Sequence, residues 1–571
     1  MNTIGDAKKK MTYDAIVVGS GISGGWAAKE LCENGLKTLV LERGKAVKHI
    51  KDYPTATQSP WEFPHRLAMP LEDEEANPIV NRCYAYDDAT KHFFVKDDEH
   101  PYIQEKPFDW IRGYQEGGKS LLWARNVQRW SNYEFEAPLR DGFAVDWPIR
   151  YQDLAPWYSH VEIFAGISGN RDGIPHLPDS EVLPPFELNC VEQHIQQELG
   201  EKYNNERPVI IGRCAHLTEP QEIHIKQGRG KCMARHLCYR GCPFGGYFSS
   251  NSSTLPWANN TGNLTMQTNS VVHSIIYDDA KGKATGVRVI DSETGESSEY
   301  FANIIFVNAA CLNTNLILLN STSSRFPNGL GNDSGTLGKY IGFHNYRGNM
   351  LADFDGFEDK YYSGRRPTSA FMPSFKNVYK QNADFLRGYM VAFSASRKGW
   401  GSSSANIGFG EEMKAQMTQA GPWQVFMMMQ GETLPKEQNH VRLSETETDQ
   451  WGIPLLVTSI DYDDNDEKML ADFLVEGKAM LEAAGCTNVR SWDTKQAPGL
   501  DIHEMGGVRM GKDPETSMLN KWNQLHHCKN VFVTDGAAMT SYGNQNPSLT
   551  FMALTARAAN YAVESFKKGE L

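Results

Sequence analysis

The sequence predicts an α/β protein built around a Rossmann-type dinucleotide-binding domain, on three observations. A β-branched run, Ile16 to Val18, leads into Gly19, Gly21 and Gly24 in G-x-G-x-x-G register. A second apolar run, Thr38 to Leu41, ends in the acid Glu42. Far along the chain, Val531-Phe532-Val533-Thr534 reads as another buried strand, ending in Asp535-Gly536 and returning to the same sheet. The nucleotide-binding domain is therefore discontinuous in sequence.

In the first unit each residue type has a task. Gly19 permits a tight turn, Gly21 lets backbone approach a pyrophosphate, and Gly24 lets the following helix lie close to the strand. Trp26 to Asn34 continues as helix, its N-terminus aimed at the phosphates. Glu42 stands at the distance of a ribose-hydroxyl ligand and would repel a 2′-phosphate; Arg43 follows it. This unit alone does not separate NAD from FAD.

A chain of 571 residues, 40% hydrophobic and 22% charged, has the balance of a soluble globular protein of two to four domains. A net charge of −13 without a basic tract excludes nucleic acid and anionic membrane as partners. No apolar run is long enough to span a bilayer. Met1 to Met11 is polar, with Lys8-Lys9-Lys10 but no apolar segment behind it, so it is not a secretory signal. There is no internal repeat.

After the first unit comes a Pro- and aromatic-rich stretch, Asp52 to Trp110, of lid character. Gly117-Gly118-Lys119-Ser120 then forms a turn whose N–H groups can face an anion or a ring system. Trp147-Pro148-Ile149 leads into a helix from Tyr151 to Phe164. Thr265 to Val289 alternates as a β-meander that includes Val272, and Asn303 to Ala310 is a buried strand with a helix, Thr314 to Leu319, behind it. Residues 345 to 495 read as mixed strands, among them Asn439 to Leu443 and Ile460 to Tyr462, then a helix from Asp464 to Ala484. A last helix runs from Ser548 to Phe566.

Together these landmarks resemble the glucose–methanol–choline (GMC) oxidoreductase family. The resemblance rests on the glycine motif with Glu42, on Arg112-Gly113 with Gly117-Gly118-x-Ser120-x-x-Trp123, on Trp147-Pro148-Ile149, on Asp535-Gly536, and on His503 with Asn546-Pro547. It implies FAD as cofactor, contacted by Gly19, Gly21, Gly24, Glu42, Arg43, Gly117, Gly118, Ser120, Val272, Asp535, Gly536 and Asn546. It also implies a substrate domain of antiparallel sheet plus helices. Residues 1–50, 225–345 and 496–571 would form the FAD domain, with a cofactor loop at 111–130 and a cysteine loop at 229–245. Residues 51–224 and 346–495 would form substrate-binding and lid regions. Some relatives attach FAD to a histidine before the turn tryptophan; Leu122 stands there, so FAD is expected to be non-covalent.

Alcohol oxidation removes a proton from oxygen and a hydride from carbon. Flavin N5 takes the hydride, so the protein must supply a base and orient the alcohol. His503 suits the base, and Asn546 can hydrogen-bond the developing alkoxide without competing for the proton.

Of ten cysteines, Cys32, Cys83, Cys190, Cys214, Cys311, Cys486 and Cys528 are scattered and read as small buried hydrophobes. Cys232, Cys238 and Cys242, followed by Pro243, have the close spacing of an iron–sulfur loop, and three ligands suit a 3Fe-4S cluster. A structural loop of free thiols and a zinc site are the other readings. The loop resembles that of catalytic subunits of bacterial FAD-dependent sugar dehydrogenases such as glucoside 3-dehydrogenases. That resemblance implies oxidation of a secondary ring hydroxyl of a sugar or glycoside at C3, with electrons leaving through the cluster to a c-type cytochrome. It also implies a small signal-bearing export partner and a periplasmic location, the alternative being cytoplasmic. An O₂-using pyranose or C-glycoside oxidase is the alternative activity.

Overall fold

The computed structural model describes residues 8–360, 366–397, 409–418 and 421–571. Residues 1–7 of the polar N-terminal segment and parts of the expected mixed-strand region lie outside them.

The expected parallel sheet forms from the strands Lys8–Val18, Thr38–Leu41, Leu264–Gln267, Ser297–Val307 and Cys528–Phe532. Lys8–Val18 is central, with Thr38–Leu41 on one side and Ser297–Val307 on the other, both parallel to it. Cys528–Phe532 extends the sheet beyond Ser297–Val307, so the chain does return to this sheet near its end. Strand order reverses between Lys8–Val18 and Ser297–Val307, and ligands of such sheets bind at the carboxyl ends flanking that switch. The helices Ile22–Glu33 and Ser548–Lys567 cover one face, joined through Ala27, Ala28, Leu31, Ala558, Ala559 and Ala562. Small residues there let two helices approach both the sheet and each other.

Several boundaries differ from the sequence expectation. The first helix begins at Ile22 rather than Trp26, because Gly24 lies within its first turn. Residues 8–10 of the polar N-terminus already belong to a strand, paired with Ser298 and Glu299. Leu264–Gln267 pairs parallel with Thr38–Leu41, so it belongs to the nucleotide-binding sheet; the antiparallel ribbon starts only at Ser270. The C-terminal strand stops at Phe532, and Asp535 instead caps a short turn at Gly536–Ala538. Ile460 to Tyr462 is not a strand: the strand is Pro454–Ser459. Asn439 exchanges hydrogen bonds with the Asp461 backbone through its side chain, just before Asp463 caps the Asp464–Ala483 helix.

The second sheet is antiparallel throughout, in the order Thr487–Asp493, Gly348–Phe354, Trp423–Glu432, Tyr389–Arg397, Ala370–Met372 and Ile210–Ile211. One face, carrying Met350, Val391, Val425, Met427 and Met429, packs on Phe473 and Met480 of the Asp464–Ala483 helix. The other face turns toward the nucleotide-binding sheet. A two-residue strand, His344–Asn345, pairs with the inner end of Trp423–Glu432 and sets His344 beside the join between the sheets.

Candidate active site and cofactor cradle

A cavity of about 1190 Å³ opens where the strands Lys8–Val18 and Ser297–Val307 end. Its wall includes Gly19, Gly21, Glu42, Arg43, Gly118, Ser120, Val272, Asp535, Gly536, His503 and Asn546. Gly24 and Gly117 stand behind the wall, where they shape it. A Cβ on Gly24 would come within 1.9 Å of the Gly19 carbonyl oxygen, and one on Gly117 within 1.7 Å of Asn251 Oδ1. Gly21 is different: a Cβ there would meet nothing within 4 Å, so bare backbone faces open space. That is where a dinucleotide's pyrophosphate needs it.

The turn at Gly117–Ser120 lies against this loop. Gly117 N–H donates to Ser20 Oγ at 2.9 Å, and a Cβ on Gly118 would sit 3.4 Å from Gly21 Cα. Ser120 locks the turn, donating to Gly117 O at 2.6 Å and accepting from Ser250 N–H. Glu42 is fixed by Ser20 N–H and Oγ and by Gly44 N–H, and burial raises its pKa. Arg43 is stacked 4.4 Å over Tyr114. Asp535 accepts from Thr314 Oγ1 at 2.6 Å, and burial lifts its carboxyl to about 6. Glycine backbone, a placed acid and a cavity of this size fit FAD. Leu122 lines the same wall without a nucleophilic atom. Acid precipitation should therefore release FAD into the supernatant; yellow colour retained in the pellet would contradict this.

His503 and Asn546 meet on the wall, with Asn546 Nδ2 3.4 Å from His503 Nε2. A residue that sequence reasoning missed stands behind them. His344 is fully buried, its Nε2 lying 3.2 and 3.0 Å from the Tyr542 and Gly543 carbonyl oxygens. Carbonyls only accept, so His344 Nε2 carries hydrogen. Burial holds His344 at about 4, so the ring is neutral and its Nδ1 has a lone pair. His503 Nδ1, 2.9 Å away, must then donate to it. One tautomer of His503 remains, with unprotonated Nε2 facing Asn546 and the cavity, as a base requires. Asp501 joins the pair: one of its carboxylate oxygens lies within 4.8 Å of one ring nitrogen of each histidine, and its Oδ2 accepts from the His344 backbone N–H at 2.8 Å. No short spacing links His344 to His503; the sheet end brings them together.

Burial, reinforced by His344 and Lys119, lowers the His503 pKa well below 6.5. A neutral base is therefore present well into acid. The rate of flavin reduction should stay flat as pH falls through 6.5 and decline only as the depressed pKa is approached. Asp501, lifted by burial to about 7, is removed from the measurement by using Asp501→Asn. An acid limb at 6.5 that remains in that variant when Asp535 is also replaced by Asn would show that His503 titrates unshifted.

Cys238 also lines the main cavity, whereas Cys232 and Cys242 do not. All three border a smaller adjacent cavity of about 30 Å³, together with His216. His216 Nε2 lies 3.8 Å from Cys238 Sγ. The three sulfurs are not gathered within 4.8 Å of one another; among the described residues only His344, Asp501 and His503 form such a group of potential metal ligands.

The GMC oxidoreductase family matches over residues 148–344 and again over 435–555. The chain is 29% identical to 2-methyl-1,2-propanediol dehydrogenase of Mycolicibacterium austroafricanum, covering 97% of this chain and 95% of that protein. It is 24% identical to the fructose dehydrogenase large subunit of Gluconobacter japonicus, covering 99% and 100%. Among solved structures, a formate oxidase of Aspergillus oryzae shares the fold at a TM-score of 0.61 and 13% identity, over 99% of this chain and 100% of that one.

Proposed function

The chain belongs to the GMC oxidoreductase family, and from that premise we propose that it is the catalytic subunit of a dehydrogenase that oxidises a secondary ring hydroxyl of a sugar or glycoside, at C3. That it is a flavin oxidoreductase acting on CH–OH groups follows from the family. The observation that carries the alcohol chemistry is the unprotonated His503 Nε2 facing Asn546 on the cavity wall. Bound FAD, held by the glycine loop, Glu42 and Asp535-Gly536, supplies the hydride acceptor. His503 Nε2 takes the hydroxyl proton and His344 holds its ring. Asn546 Nδ2–H turns from His503 Nε2 to the developing alkoxide. The fructose dehydrogenase likeness supports a sugar as substrate.

The dehydrogenase reading over the O₂-using one rests on the cysteine loop. Arg125 and Arg229 are buried beside it, 2% and 3% exposed, and among the described residues neither has a carboxylate partner. Arg125 donates to the carbonyls of Leu121 and Cys238, and Arg229 to those of Gly245 and Ala165. Burial pulls Arg229 down only to about 9, so it is charged at neutral pH. Arg125 lies 4.0 Å over the Tyr247 ring and Arg229 5.9 Å over Phe248, but ring faces offset a buried cation only in part, and an anion nearby would stabilise both. The Cys232 thiol does not supply one, since burial lifts it to about 11. Three metal-bound thiolates do, and Cys232, Cys238 and Cys242 would hold an iron–sulfur cluster there as a one-electron relay. Electrons would leave for a cytochrome, and a small export subunit would carry the chain to the periplasm. Sugar oxidation assayed with a dye acceptor and for peroxide tests this: turnover should need the dye, and stoichiometric peroxide would favour the oxidase.

A further inference from the structure

The antiparallel sheet has one face packed on helices and another left open to the cavity. On the open face the strand Trp423–Glu432 presents Gln430, Met428 and Phe426 in succession. Gln430 marks the catalytic end. It accepts a hydrogen bond from Tyr346 OH, and the Tyr346 ring lies 6.0 Å from that of His503. At about 3.4 Å per residue, Met428 stands about 7 Å and Phe426 about 14 Å from Gln430 along the strand.

Cross-strand register widens this line into a surface. Met428 is opposite Asn349, and Asn349 is opposite Trp492, so these three share the face. On the other side Gln430 is opposite Met390. Phe426, Met428, Asn349 and Met390 line the same cavity as His503 and Asn546. Yet Phe426 and Trp492 are 38% and 39% exposed, though both are large and apolar. A pyranose ring bound with its reacting hydroxyl at His503 would be shorter than the about 14 Å from Gln430 to Phe426, which would leave Phe426 and Trp492 beyond it.

We propose that this outer face binds an apolar aglycone, an aryl or alkyl group on the substrate's sugar. The inference rests on the glycoside reading above and deepens it. Two aromatic rings and a thioether offer area and adaptable packing rather than directed hydrogen bonds, which suits an apolar group of variable shape. The face continues directly into the catalytic cavity, so one molecule can occupy both.

The test is anaerobic flavin reduction by methyl and phenyl glucosides of the same anomeric form. With the unaltered enzyme, phenyl glucoside should half-saturate at about one-tenth the concentration of methyl glucoside or less, with a similar limiting rate. Phe426→Ser and Trp492→Ala should each raise that concentration roughly fivefold to tenfold for the phenyl substrate and leave the methyl substrate within about twofold. Both side chains are partly exposed, so the variants should fold; an unchanged bound-flavin spectrum checks it. Equal use of the two glucosides, or variants that weaken both alike, would overturn the proposal while leaving the sugar reading intact. If neither glucoside reduces the flavin, the glycoside reading fails and the proposal falls with it. A dimer that Phe426→Ser dissociates, without any phenyl preference, would assign the face to a second copy of this chain and also overturn it.

Discussion

His503→Ala should slow flavin reduction by substrate about 10²- to 10⁴-fold, the range for loss of a positioned general base. That corresponds to about 3 to 5 kcal/mol of barrier. FAD binding should survive, because the glycine loop, Glu42 and Asp535 hold the cradle without His503. Anaerobic stopped-flow absorbance measures the rate, and a variant that matches the unaltered enzyme would remove His503 from the reaction. His344→Ala should cost less, since the base remains and only its tautomer and orientation are released. A positioning role predicts that the pH dependence changes along with the rate. Loss of rate with an unchanged pH profile would mean that His344 serves stability alone.

Cys238→Ser should separate the two halves of the catalytic cycle. Substrate should still reduce the flavin, because His503 and Asn546 are untouched. Transfer to a one-electron protein acceptor should fall by at least about tenfold, and iron content should drop with it. The expectation comes from three thiols around one small cavity, flanked by the buried Arg125 and Arg229, which have no carboxylate partner among the described residues. Iron and acid-labile sulfide on protein purified without oxygen decide the matter. Protein without iron, together with normal onward transfer in the variant, would make the loop structural and return the oxidase reading to the front.

Much of this was legible because it is written in short spacings. Gly19, Gly21, Gly24 and Glu42 lie within one βαβ unit, and each falls where the spacing requires, on or behind the cavity wall. His503 and Asn546 carry family motifs, and they meet on that wall. His344 was not legible. Its contact spans 159 residues and depends on a two-residue strand at a sheet end, which no local period announces. The open face was hidden for a related reason. Residues 345 to 495 read as mixed strands, but which residues of Trp423–Glu432 face the cavity depends on register with two neighbours. Leu264–Gln267 was misplaced because alternation identifies a strand without naming its partner.

The strand Cys528–Phe532, which extends the cofactor's sheet, is made long after the strand it pairs with. Asn308, at the end of Ser297–Val307, accepts from Thr534 N–H and Oγ at 3.1 and 3.0 Å, tying the early strands to the late one. Asp535, Asn546 and the helix Ser548–Lys567 follow within a few turns of chain. While those residues are still in the ribosomal exit tunnel, the first βαβ unit has its glycines but neither the far wall of its pocket nor the helix that packs on Ala27 and Leu31. Flavin capture thus waits for residues 528–567 to emerge. Cells short of riboflavin should accumulate complete but colourless protein that yellows when FAD is restored, without new synthesis.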